Sequence, residues 1–286
     1  MHDQMNVVVT GVSTGIGKET VRFLTGKGYR VFGSVRKGAD AAALEQELGD
    51  MFCPMIFDVC DGEAVRRSAA LVGEKLDGVR LTALVNNAGL ALFGPMELLD
   101  DDAFNHIMNV NVIGARTVTN AFLPLLRCKE NAPETSAKIV NISSLSGILN
   151  TPMNGAYCVS KHAMESLGEI YRRELKGEGI DVVSIRSGPI QSEIWTKNIE
   201  DDVRYDETAY KNLARNSQKI MRAAQKGALP ATVIAELVLD VIEGRKKRHA
   251  YEVGRGSIVA QLFSSSFVPR RLADRLIFNA LNKSSK

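Results

Sequence analysis

The sequence predicts an α/β protein: one doubly wound parallel sheet with helices on both faces and a C-terminal helical extension. Three observations predict it. Short apolar runs recur along the first two thirds of the chain, and each is separated from the next by a stretch with helical spacing. Such alternation calls for strand–helix–strand crossovers and therefore for parallel pairing. The runs are apolar at nearly every residue, as strands are when helices cover both faces of a sheet.

Taken in order, residues 6–10 read as the first strand. Residues 15–27 read as the first helix, with Val21, Phe23 and Leu24 apolar and Lys18, Glu19 and Arg22 polar. Strand 30–35, helix 39–48 and strand 52–59 follow, the last with Pro54 near its start. Helix 63–76 and strand 81–86 come next, then one long helical pattern over 104–127. The stretch 127–138, with Pro133 and Glu134, reads as a surface connection. Strand 138–143, helix 155–176 and strand 181–187 complete the alternation, which stops after Pro189. Residues 195–225 are polar and helix-prone, 232–244 form a compact amphipathic helix, and 249–253 suit a last strand. The tail mixes Ile258, Leu262, Phe267, Leu272, Leu276, Ile277 and Phe278 with Arg270, Arg271 and Arg275. The whole chain, 1–286, reads as a single domain, with 255–286 as its extension.

Composition fits an ordinary soluble globular protein, with 45% hydrophobic and 24% charged residues. A net charge of +3 is too small to argue for nucleic acid. The four cysteines, Cys53, Cys60, Cys128 and Cys158, form no CxxC pair, and no His cluster has metal spacing, so no metal is expected. Reduced cysteines, no basic leader before an apolar segment and no long apolar span point to a cytoplasmic protein. Membrane contact is not expected, apart from a peripheral role for the basic and apolar tail.

The first strand runs into Thr10-Gly11-Val12-Ser13-Thr14-Gly15-Ile16-Gly17. Glycine lets the backbone turn tightly and approach a phosphate, and the following helix offers free N–H groups and a partial positive charge. Gly11, Ser13, Gly15, Ile16 and Gly17 are therefore candidate nucleotide ligands. The second strand ends without an acid, in Val35-Arg36-Lys37. An acid there would bond a ribose 2′-OH, whereas Arg36 and Lys37 suit a 2′-phosphate, so NADP(H) is favoured over NAD(H).

A third group lies in Ile142-Ser143-Ser144 and Ala156-Tyr157-Cys158-Val159-Ser160-Lys161. Tyr157 and Lys161 stand four apart on a helix and share a face. A free tyrosine, with a pKa of about 10, is a poor base, and a neighbouring ammonium is expected to lower that value. A serine at a strand end can bond a substrate oxygen.

The TGxxxGxG loop, Asn86-Asn87-Ala88-Gly89 and the YxxxK pair, in this order, resemble the short-chain dehydrogenase/reductase family in its compact, Rossmann-type form. The motifs span residues 6–192, about two thirds of the chain. The resemblance implies hydride transfer between a nicotinamide cofactor and a carbonyl or alcohol. It implies that Asp58 and Val59 hold the adenine and that Asn87, Ala88 and Gly89 lie under the adenine ribose. Ser144, thirteen residues before Tyr157, matches the family's spacing, ahead of Ser143 and Ser146. Tyr157 would move the proton, Lys161 would tune it and bond the ribose, and Asn111 would hold a water in a proton path. Gly188, Ile190 and Ser192 would meet the carboxamide; here Gly188-Pro189 replaces the usual Pro-Gly, and Ser192 the usual Thr.

The segment 193–226 would cover the substrate, with Ser144, Tyr157, Leu149 and Trp195 as contacts and Leu92, Phe93, Met96 and Met153 as further apolar walls. The tail is similar to that of the retinol/hydroxysteroid branch, which implies a lipophilic alcohol or ketone. The family resemblance also implies a homodimer or homotetramer built on helices 104–127 and 155–176. Alternatives are a non-catalytic NADP-sensing protein, an NAD-dependent alcohol dehydrogenase of the same family, and an epimerase or dehydratase of the extended relatives.

Overall fold

A computed structural model describes residues 5–127, 136–192, 194, 203–264 and 268–282. Seven strands form one sheet: β1 (Asn6–Val9), β2 (Arg30–Val35), β3 (Phe52–Ile56), β4 (Ala83–Asn86), β5 (Ala137–Ser144), β6 (Ile180–Ser187) and β7 (Ala250–Val253). Their order is β3-β2-β1-β4-β5-β6-β7, and every pair is parallel. The chain starts in the middle, works outward to β3, and then crosses to the other side through β4. Loops after β1 and β4 thereby diverge from neighbouring strand ends and leave a crevice there. Pro54 is tolerated because β3 is an edge strand.

Strand periodicity divides the core into two layers. Val7, Val9, Val31 and Val85 face one side, where they meet α1 (Gly15–Gly26), α2 (Gly38–Leu48) and α8 (Thr232–Ile242). Val8, Phe32, Leu84 and Ile139 face the other, against α3 (Gly62–Leu76) and α5 (Ala115–Leu126). The catalytic candidates sit on α6 (Gly155–Glu174), whose buried face includes Tyr157, Lys161 and Met164.

Two expectations need correction. The long pattern over 104–127 is not one helix. It is α4 (Asp101–Met108), a π-helical turn (Asn109–Gly114) and α5. Asn111 lies within that turn, its buried side chain bonded to the distant Leu90 and to Ser160. In the polar segment only α7 (Lys211–Lys226) is helical among the described residues, and 195–202 lie outside them. The tail forms α9 (Ser257–Ser264) and α10 (Arg270–Asn282). Most of the connection expected at 127–138 lies outside the described residues. No helix among those described is long and apolar enough to cross a membrane.

Candidate active site

One cleft of about 760 Å3 opens at the C-terminal ends of β1, β2, β4, β5 and β6. The glycine loop forms its floor. Gly11 has φ +69° and Gly15 φ +57°, values that L side chains rarely adopt. A Cβ on Gly11 would stand 2.8 Å from the Cα of Ala88. Gly17 is buried behind the loop, where a Cβ would stand 2.3 Å from the Gly11 carbonyl oxygen. Asn87 Nδ2 donates to the carbonyls of Thr10 at 2.8 Å and Gly11 at 2.9 Å. Thr10 Oγ1 accepts from the N–H groups of Asn87 and Ala88, each at 3.0 Å. Asn87 therefore sews the two loops together. Thr10, absent from the expected set, is the centre of that seam.

The N-terminus of α1 is left bare. Thr14 is its extended N-cap, yet its side chain caps nothing and the first turn holds no acid. By contrast, α3 is capped by Asp61 and α4 by Asp100, both with acids in the first turn. Uncapped N–H groups facing a glycine-lined cleft are what a pyrophosphate requires.

Arg36 and Lys37, both exposed, stand at the cleft mouth, with Lys37 as the extended N-cap of α2. Asp40, in the first turn of α2, also lines the mouth, beyond the strand end that the pattern of the second strand covers. Asp58 and Val59 line the adjoining wall. The neighbouring Cys60 thiol is pushed up to about 11 by burial and by Asp58, while Arg36 pulls the other way. The guanidinium thus reaches toward this wall.

At the inner end, Ser144, Tyr157 and Lys161 converge, and all three are buried. Ser144 Oγ bonds the Ser187 carbonyl at 3.3 Å and accepts from Ser146 N–H at 3.1 Å. It also hydrogen-bonds Tyr157. Lys161 Nζ donates to the Ile142 carbonyl at 2.9 Å and lies 5.8 Å from the centre of the Tyr157 ring.

The expected lowering of the Tyr157 pKa is not what this arrangement produces. Burial pushes the phenol up to about 12, and the Ser144 hydrogen bond opposes only part of that. Burial likewise pulls Lys161 down to about 8, with the charge of Glu165 opposing. Burial dominates at both groups, and it favours the neutral phenol at Tyr157.

Asn111 stands behind this group. Its Oδ1 accepts from Leu90 N–H at 2.9 Å, and its Nδ2 donates to the Leu90 carbonyl and to Ser160 Oγ, each at 2.9 Å. The side chain thereby ties the wall to α6. Gly89 makes room for that tie. A Cβ there would stand 3.2 Å from Asn111 Oδ1 and 3.8 Å from Lys161 Nζ.

Gly188, Ile190 and Ser192 line the far wall. A short bridge to Leu229 uses the Pro189 carbonyl and the Gln191 N–H, and so leaves both backbone groups of Ile190 out of it. Leu149, expected at the substrate, does not line the cleft. The turn after β5 winds it back, its N–H onto Leu145 and its carbonyl toward the Cys158 thiol. Trp195 lies outside the described residues. Leu90, Ala91, Leu92 and Ile194 form the apolar wall instead, and His106 and Val110 of the α4–π segment complete the lining. Phe93 and Met153 pack behind that wall with Tyr205 and Ala214.

A family model described as short chain dehydrogenase matches residues 5–203. The chain is similar to an NADPH-dependent 3-dehydrocapnine reductase of Ornithobacterium rhinotracheale, 33% identical over 276 residues, which is 96% of this chain and 97% of that protein. It is similar to human retinol dehydrogenase 16, 33% identical over 67% of this chain and 58% of that protein. Two solved structures share the fold. One, a short chain dehydrogenase from Burkholderia cenocepacia in complex with NADP, has TM-score 0.71 at 24% identity over 99% of this chain and 98% of that one. The other, from Burkholderia phymatum in complex with NAD, has TM-score 0.74 at 24% identity over 91% and 92%.

Proposed function

The chain belongs to the short-chain dehydrogenase/reductase family, whose members interconvert carbonyls and alcohols, and on that premise we propose that it is an NADPH-dependent reductase of a lipophilic ketone. One observation carries the reading. A single cleft joins a bare helix N-terminus and two cations at one end to a buried tyrosine, bonded to serine, at the other. The cradle suits a dinucleotide, since added Cβ atoms at Gly11 or Gly17 would close it. Gly11, Ser13, Gly15 and Ile16 would hold the pyrophosphate, and Gly17 keeps their loop in place. Asp58 and Val59 would hold the adenine, Asn87, Ala88 and Gly89 would support its ribose, and Gly188, Ile190 and Ser192 would meet the carboxamide. The cofactor, when bound, supplies the hydride. Ser144 orients the substrate oxygen, Tyr157 delivers the proton to it, and Lys161 holds the ribose and the local positive charge. Asn111 keeps the wall and α6 in register. The first substrate to test is 3-dehydrocapnine, after the relative's name, followed by a panel of lipophilic ketones, with NADPH consumption as the readout. Failure of every ketone to consume NADPH overturns the reading.

Arg36 and Lys37, with no acid at the end of β2, support NADPH over NADH. Arg36→Ala should weaken NADPH binding by roughly 10–100-fold, the worth of a charge-assisted hydrogen bond, and leave NADH binding unchanged. Fluorescence titration of both variants with both cofactors measures it. Asp40 favours a second reading, an NAD-dependent alcohol dehydrogenase, because a carboxylate at the mouth could bond ribose hydroxyls. Tighter binding of NADH than NADPH by the parent protein would establish that reading instead.

The pH profile follows from the two buried groups. Lys161 is protonated below about 8 and neutral above it, whereas Tyr157 keeps its proton to about 12. The loss of Lys161 charge, not of the tyrosine proton, therefore sets the alkaline limb of reduction. We expect kcat/KM for NADPH to be level below pH about 8 and to fall above it. A profile that stays level far above that value would remove Lys161 from this role.

A further inference from the structure

We propose that the outer faces of α9 and α10 form a surface that docks on an anionic lipid bilayer. The two helices carry a concentration of exposed large apolar side chains: Ile258 72%, Leu262 52%, Leu272 47%, Leu276 46% and Phe278 65% exposed. In α10 the inner positions are Ala273, Ile277 and Leu281, spaced four apart. Ala273 and Leu281 are buried, and the Leu281 carbonyl accepts from Asn216 Nδ2 of α7 at 2.7 Å. Leu272, Arg275, Leu276 and Asn279 recur at the spacing of the opposite, outer face. Arg270, Arg271 and Arg275 are all exposed, and none forms an ion pair with a described residue. Asp274 is the one acid between residues 257 and 282.

Leucines and a phenylalanine interleaved with arginines match the interface of a bilayer, where apolar side chains enter the acyl boundary and guanidinium groups bond phosphates. A second copy of the chain fits this face poorly, because it would bring three arginines against three arginines with a single acid on each side. α10 lies on α7, and Ala214 of α7 packs on Phe93 and Met153, behind the apolar wall of the cleft. α9 begins two residues after Arg255, whose carbonyl oxygen lies against Gly188, 2.9 Å from where a Cβ there would stand. α10 thus rests on the layer behind the apolar wall, and α9 starts beside the Gly188 wall of the cleft.

The test is flotation of the full chain with vesicles of phosphatidylcholine alone and of phosphatidylcholine with one third phosphatidylglycerol. We expect flotation with the anionic vesicles only, weakened by salt. Replacing all three arginines together, Arg270→Gln, Arg271→Gln and Arg275→Gln, should weaken it by about a hundredfold. The pair Leu272→Ser with Leu276→Ser should weaken it too, and both variants should titrate NADPH like the parent. Absence of flotation overturns the inference, and so does equal flotation of parent and variants. A dimer in light scattering that Leu276→Asp converts to monomer, with the parent staying off vesicles, would assign the face to a second copy. The inference does not rest on the proposed substrate, since its readout is vesicle binding and not turnover.

Discussion

Tyr157→Phe should lower kcat for ketone reduction by about a thousandfold while leaving NADPH affinity nearly unchanged. The substitution removes one oxygen and keeps the ring, so the packing of position 157 with Ala91, Ile107 and Ala156 survives. Ser144 loses one partner but keeps the Ser187 carbonyl and the Ser146 N–H, so no orphaned polar group is left behind. Stability should therefore change by no more than about 1 kcal/mol. Lys161 keeps its bond to the Ile142 carbonyl, so binding and chemistry should separate in this variant. Single-turnover loss of NADPH absorbance measures the first, and fluorescence titration the second. Ser144→Ala should cost less, on the order of a hundredfold, because the proton donor remains and only the orientation of the oxygen is lost. Retention of turnover within tenfold of the parent in Tyr157→Phe would mean that the proton comes from another group.

The candidate groups are legible in the sequence because their spacing is local. A glycine loop between a strand and a helix, and a tyrosine one helical turn before a lysine, are set by spacings of a few residues. The sheet was legible for the same reason, as apolar runs of strand length are bounded by helical stretches. What escaped the sequence depends on residues far apart in the chain. The continuous helical pattern over 104–127 conceals a π turn, within which Asn111 bonds Leu90, a residue that precedes it by 21 positions. Leu149 looked suited to the substrate until the turn after β5 placed it against α6. The direction of the Tyr157 shift is not legible in the sequence, because spacing reveals the nearby lysine but not the burial of both. Thr10 is not legible as a site residue, because a threonine before a glycine is common and only the meeting of two loops gives it a role.

The glycine loop supplies the second large effect, and it is steric. Gly17→Ala should reduce NADPH affinity by at least a hundredfold. The new methyl would stand 2.3 Å from the Gly11 carbonyl oxygen and 2.4 Å from Asn87 Nδ2, far inside van der Waals contact. The nearest of these atoms is backbone, so it cannot swing away as the end of a long side chain would. Either α1 moves off the loop, which withdraws its N–H groups from the pyrophosphate, or the loop moves and breaks the Asn87 bonds to Thr10 and Gly11. Both outcomes dismantle the cradle, and the overpacking should cost about 1–3 kcal/mol of stability as well. Gly26, at the end of the same helix, is the matched control. It has nothing within 4 Å of an added Cβ and no positive φ. Gly26→Ala should raise stability by up to about 1 kcal/mol, through helix propensity alone, and leave NADPH binding intact. Thermal unfolding and NADPH titration of the two variants side by side separate the contributions. If Gly17→Ala binds NADPH like Gly26→Ala, then close packing of helix on loop is not what builds the site, and the cradle must be held by the Asn87–Thr10 seam alone.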